Sequence, residues 1–238
     1  MRIKSIFTTL ISLVIFTFFI VFALPIINAF AQDKDQAVAL SQSSNIKLDP
    51  SKGKEIGFVY DAFLSPYQEP GEEENTPKVA PPSLKSTAPS VPRNQRKSHG
   101  HGIVRFTKDL SKAFVDVQVE GVNLKDIVMF HIHCGKPDVL GPIQVDFALT
   151  GDIQKNFADG NFSAEVTDEI IEKTANSAND LLGVYTLGCP IESGKPGKVK
   201  TIAGMAHYGR RRELYFNLHT KGQTFYGDIR GQLHPVEN

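Results

Sequence analysis

The feature that most constrains this chain is a side-chain period of two. From Ala113 to Val119, Phe114, Asp116 and Gln118 alternate with Val115, Val117 and Val119. From Leu214 to Thr220, Leu214, Phe216 and Leu218 alternate with Tyr215, Asn217 and His219. A strand sends successive side chains to opposite faces, so each stretch reads as a strand with one apolar face. Further short runs with the same character recur: Glu55 to Leu64, Ile103 to Phe106, Ile127 to Cys134, Ile143 to Leu149, Phe162 to Val166 and Thr224 to Leu233. Turn residues separate them, as at Gly121 to Asp126 and at Gly141-Pro142. Strands at such short spacing predict an all-β sandwich or barrel.

Two interruptions are helical. Thr167 or Asp168 can cap a helix running to Asn179, with Glu169 in its first turn and Ile170 and Ile171 apolar. Thr201 to Tyr208 reads as a second short helix, and Leu181 to Leu187 as strand or loop. Residues 71–100 hold much of the proline, a Glu72-Glu73-Glu74 run and a basic patch from Arg93 to Lys97. Lacking periodicity, this segment is expected to be a long mobile loop.

The start of the chain has the form of an export signal. Arg2 and Lys4 precede an uncharged apolar run from Ile6 to Ala23, and Ala29-Phe30-Ala31 has the small-x-small form of a cleavage site. Residues 1–31 are therefore expected to be a signal peptide, 32–54 a flexible tether and 55–236 the folded domain. The protein is then periplasmic or secreted, with no membrane span after cleavage. An N-terminal membrane anchor is the alternative, because the apolar run is long. Without Arg2 and Lys4 the chain keeps 24 basic and 26 acidic residues, a formal charge of −2. That balance gives no argument for nucleic acid or an anionic membrane surface.

Cys134 and Cys189 are the two cysteines. In an exported chain an even pair reads as a disulfide. The rival reading leaves Cys134 free as a third metal ligand beside two histidines. Those histidines lie in Phe130-His131-Ile132-His133-Cys134-Gly135. His131 and His133 share a strand face, roughly 6.5 Å apart along the chain. One metal ion can meet both, and His219 supplies a third nitrogen if its strand lies alongside. His99, His101, His207 and His234 are weaker candidates. Polar residues on an exposed strand face are the plain alternative.

Four blocks occur in order: Phe130 to Gly135, Gly141-Pro142-Ile143, Tyr215 to Thr220, and Gly227-Asp228-Ile229-Arg230-Gly231-Gln232. Together they resemble the CHRD domain, a module named from chordin and widespread in bacterial exported proteins. Gln68-Glu69-Pro70 resembles that family's early block. The resemblance covers roughly Glu55 to Val236, and its motif residues here are Gly135, Gly141, Pro142, Asn217, Thr220, Gly227, Arg230, Gly231 and Gln232. It implies a Greek-key, immunoglobulin-like sandwich or barrel. The 71–99 loop and the stretch between Val166 and Arg212, which carries Cys189, are longer than the family usually has there.

Two functions follow. The first is a non-enzymatic exported module that binds a protein or small ligand or serves a structural role. The second is a mononuclear copper or zinc protein, redox-active in the copper case, using His131, His133 and His219. The His-x-His stretch is also similar to that of Cu/Zn superoxide dismutases. The zinc loop of those enzymes is missing, since the next histidine after His133 is His207. No phosphate loop or nucleophile elbow is present.

Overall fold

The structure is a computed structural model that describes residues 55–177, 183 and 186–236. The proposed signal segment and tether, and most of 178–185, lie outside the described residues.

Among the described residues nine strands form two antiparallel sheets. The strands are β1 (Ile56–Leu64), β2 (His99–Thr107), β3 (Lys112–Glu120), β4 (Ile127–Cys134), β5 (Ile143–Asp146), β6 (Asn161–Thr167), β7 (Leu214–Thr220), β8 (Ile229–Gln232) and β9 (His234–Pro235). The five-stranded sheet runs β6-β3-β2-β1-β9 and the four-stranded sheet β5-β4-β7-β8. The non-consecutive pairs β3–β6 and β4–β7 arise because the chain crosses between the layers. The arrangement is a sandwich, not a closed barrel. At one corner Ser65, just past β1, bridges Arg230 of β8. That bridge ties the edge of one sheet to the other through the N–H groups of Ser65 and Arg230, at 2.9 and 3.1 Å.

The core between the sheets is built on Phe130. Its ring meets those of Phe147, Phe157, Phe162 and Phe216 at centroid separations of 4.8 to 5.6 Å. Stacked and edge-on pairs both occur there, and both are favourable aromatic geometries. Phe216 pairs laterally with Ile132, and Leu218 with Phe130, so the apolar faces of β4 and β7 are one surface.

Among the described residues three short α-helices decorate the sheets: α1 (Ile153–Asn156), α2 (Asp168–Asn176) and α3 (Ile202–Arg210). Thr201 caps α3 by accepting from the Gly204 N–H. The Asp168 carboxylate accepts from Ile202 N–H, which joins the two longer helices. Cys134 and Cys189 are joined in a disulfide across a separation of 55 residues. Cys134 is therefore not a free thiol ligand. Its side chain also lies on the face of β4 opposite His133, with the core.

Two stretches carry structure that their periodicity does not show. The 71–98 segment has no long strand, as its lack of periodicity implies, but it is tied down. Glu72 pairs with Arg93 and Arg96 at 2.8 and 3.1 Å, and Arg96 donates to the carbonyls of Gly227 and Asp228. Glu73 is buried. In addition, β2 begins at His99, four residues earlier than the apolar run alone indicated.

Candidate metal centre

The polar face of β7 is not solvent-facing. Every residue of β7 and β8 is buried, and β4 is buried on both faces from Phe130 onward. The cover comes from the segment after β1 and from the loop after β4. Gln68 donates to the Phe63 carbonyl and accepts from Gln232 N–H. Arg230 reaches across to the carbonyls of Lys136 and Val139 at 2.9 and 3.0 Å. Polar side chains that alternate with apolar ones thus line a second, polar interior.

His131, His133 and His219 meet there. The register sets His131 beside Asn217 and His219 beside Met129, so all three imidazoles emerge on one face. Ring centroids of His131 lie 5.3 Å from those of both partners, and His133 and His219 are 6.3 Å apart. One nitrogen of each lies within 4.8 Å of the others. A tetrahedral ion with metal–nitrogen bonds of about 2.0–2.1 Å would ask for about 3.4 Å, so the rings would have to close inward to hold one. The three residues are 4 %, 9 % and 4 % exposed. Burial in low dielectric opposes protonation, so their pKa values fall: His133 to about 3, His219 to about 4, and His131 well below the usual range.

Two of the three rings are held from behind. His133 Nδ1 lies 2.8 Å from the Gly141 carbonyl, and His219 Nδ1 lies 2.9 Å from the Thr224 carbonyl. A carbonyl only accepts, so Nδ1 carries the proton and Nε2 the lone pair. His131 Nε2 stands 3.7 Å from the Asp146 carboxylate. The opposite nitrogens, His131 Nδ1, His133 Nε2 and His219 Nε2, are buried with no partner. A ring anchored by one nitrogen, with a buried lone pair on the other, is how a metal-ligating histidine is built. Buried polar atoms otherwise find hydrogen bonds.

Asn217, which pairs laterally with His131, does not hold that ring. Asn217 instead donates from Nδ2 to the Tyr226 carbonyl at 2.9 Å. The holders of His133 and His219 are two backbone carbonyls, which leave no mark in a side-chain pattern. The motif glycines carry the one available signal. A Cβ on Gly141 would sit 1.5 Å from the Cys134 carbonyl oxygen, so only glycine lets this loop approach β4. Gly227 has φ +105° and would clash with Asn217 Oδ1 at 1.9 Å.

Glu69, from the early motif block, is 1 % exposed and neither carboxyl oxygen has a partner. Burial pushes its pKa up to about 8, against the pull of Arg230 and Arg96. The weaker histidine candidates are elsewhere. His99 and His101 lie on β2, 3.5 Å from Glu120 and 3.7 Å from Asp61, while His207 on α3 and His234 on β9 are exposed.

Fold and site together define a class: an antiparallel β-sandwich with a buried trio of imidazoles between its second sheet and covering loops. The family model for the CHRD domain matches residues 82–233, and the chain belongs to the CHRD domain family. No curated protein and no solved structure matches the chain.

Proposed function

We propose that this CHRD domain protein is an exported, non-enzymatic binding module whose ligand is a single copper or zinc ion held by His131, His133 and His219. The observation that carries this is the trio of buried nitrogens without partners, two of them on rings anchored from behind. Three neutral imidazoles suit zinc and copper alike. Their lowered pKa values favour the neutral, ligating form at ordinary pH. No cysteine competes, because both are in the disulfide. That bond also suits an oxidising compartment, in keeping with export. Among the described residues no helix is long and apolar enough to cross a membrane.

The test is elemental analysis of the purified protein beside the His131→Ala/His133→Ala double variant. One zinc or copper per chain in the first and none in the second supports the reading. Equal metal content in both removes it.

A further inference from the structure

The metal reading leaves unexplained why Glu73 is buried in an irregular segment. Its residue is 7 % exposed, and its carboxylate collects several donors. Oε1 and Oε2 each accept from Phe225 N–H at 3.0 Å, and Oε2 also accepts from Tyr226 N–H at 3.2 Å. Ser86 Oγ donates to Oε1 at 2.6 Å and accepts from Thr224 N–H at 3.2 Å. The carboxylate thus grips the turn from Thr224 to Tyr226.

The Phe225 N–H and the Thr224 carbonyl belong to one planar peptide unit. Glu73 takes the N–H of that unit, and the carbonyl takes the Nδ1–H of His219 at 2.9 Å. Carboxylate, peptide and imidazole therefore form one chain of hydrogen bonds ending at a candidate ligand. A negative charge on the N–H polarises the carbonyl and strengthens its bond to the imidazole. A carboxylate behind a ligating histidine fixes the ring and raises its basicity. Here the same arrangement has a peptide inserted.

We propose that Glu73 is the positioning residue of His219, acting through the Thr224–Phe225 peptide to set that imidazole's orientation and its strength as a metal ligand. Glu73 precedes residues 82–233, so this support comes from outside the part of the chain matched to the family.

The effect on affinity rests on the metal reading; the effect on ring orientation does not. The experiment uses Glu73→Gln, which keeps the shape and removes the charge. Two quantities are read in wild type and variant at a temperature where both are folded. One is the proton resonance of His219 Nδ1–H, with that of His133, held by Gly141, as internal reference. The other is the dissociation constant for Co²⁺ as a spectroscopic probe of the site. In the variant the His219 resonance is expected to shift upfield or be lost to exchange while that of His133 stays. Co²⁺ affinity is expected to fall roughly 10- to 100-fold. Glu72→Gln, which loosens the ion pairs of the same segment, is expected to leave both readouts near wild type.

An unchanged His219 resonance and unchanged affinity in Glu73→Gln overturn the proposal. A shifted resonance in a protein whose wild type takes no Co²⁺ upholds the positioning role and removes the metal reading. If the Gln variant does not fold, Glu73→Asp keeps the charge but shortens the reach. A wild-type resonance and affinity there overturn the proposal equally.

Discussion

The ring of Tyr215 lies parallel to the imidazole of His133, with centroids 5.0 Å apart and planes at 8°. The two are also joined through Gly141. The Tyr215 hydroxyl accepts from Gly141 N–H at 3.0 Å, while the Gly141 carbonyl accepts from His133. The Arg230 guanidinium stands 3.5 Å over the same tyrosine ring. Three motif positions of the family, Gly141, Arg230 and the His-x-His strand, thus converge on one aromatic residue.

Removing only the hydroxyl tests that link. In Tyr215→Phe the stack remains but the half-buried Gly141 N–H loses its acceptor. Stability is expected to fall by about 1 kcal/mol, the net worth of one hydrogen bond. Urea unfolding at pH 7 measures it, and a change within error contradicts the link.

Acid is expected to destabilise the metal-free protein through the three histidines. Their pKa values are lowered in the folded state, so between the unfolded value near 6.5 and the folded values the unfolded chain binds more protons. Stability then rises with pH across that window and is lost as pH falls from 6.5 toward 4, by up to about 1.4 kcal/mol per pH unit for each histidine. Urea midpoints at pH 7, 6 and 5 report the slope. It is expected to shrink in the His131→Ala/His133→Ala variant.

Glu69 is expected to act in the opposite sense. Its folded pKa of about 8 lies above the usual 4.5, so the folded state binds the extra proton between those values. Stability from this group is present at pH 5 and is lost as pH rises through 8. Glu69→Gln is expected to lose less stability than wild type between pH 5 and pH 9. An identical alkaline loss in both proteins contradicts this.

Reducing the Cys134–Cys189 bond is expected to cost about 4 kcal/mol, the chain-entropy value for a loop of this length. A thiol assay on the unfolded, unreduced protein is expected to find no free thiol.

Export is tested by sequencing the N-terminus of the protein recovered outside the cytoplasm. It is expected to begin at Gln32, after cleavage following Ala31. An intact N-terminus in the membrane fraction indicates an anchor instead.

The two sheets were legible because the period of two at Ala113–Val119 and Leu214–Thr220 fixes which residues share a face. The same period placed His131 and His133 together and put His219 on a polar face. It did not reveal that this face is buried. The cover comes from Gln68, Glu69, Glu73 and the loop after β4, whose backbone has no repeat and whose acidic run reads as solvated. Glu73 reads as part of a charged loop because its partners are main-chain N–H groups about 150 residues away. The length of β2 does not show in the sequence because His99 and Gly100 carry no apolar signal, although both pair with β3.

The central claim is most directly tested by X-ray absorption at the metal edge of the zinc- or copper-loaded protein. Three imidazole nitrogens are predicted in the first shell, at about 2.0–2.1 Å for zinc, with no sulfur shell at about 2.3 Å. A sulfur shell, a shell without imidazole scattering, or failure to take up either metal contradicts the account.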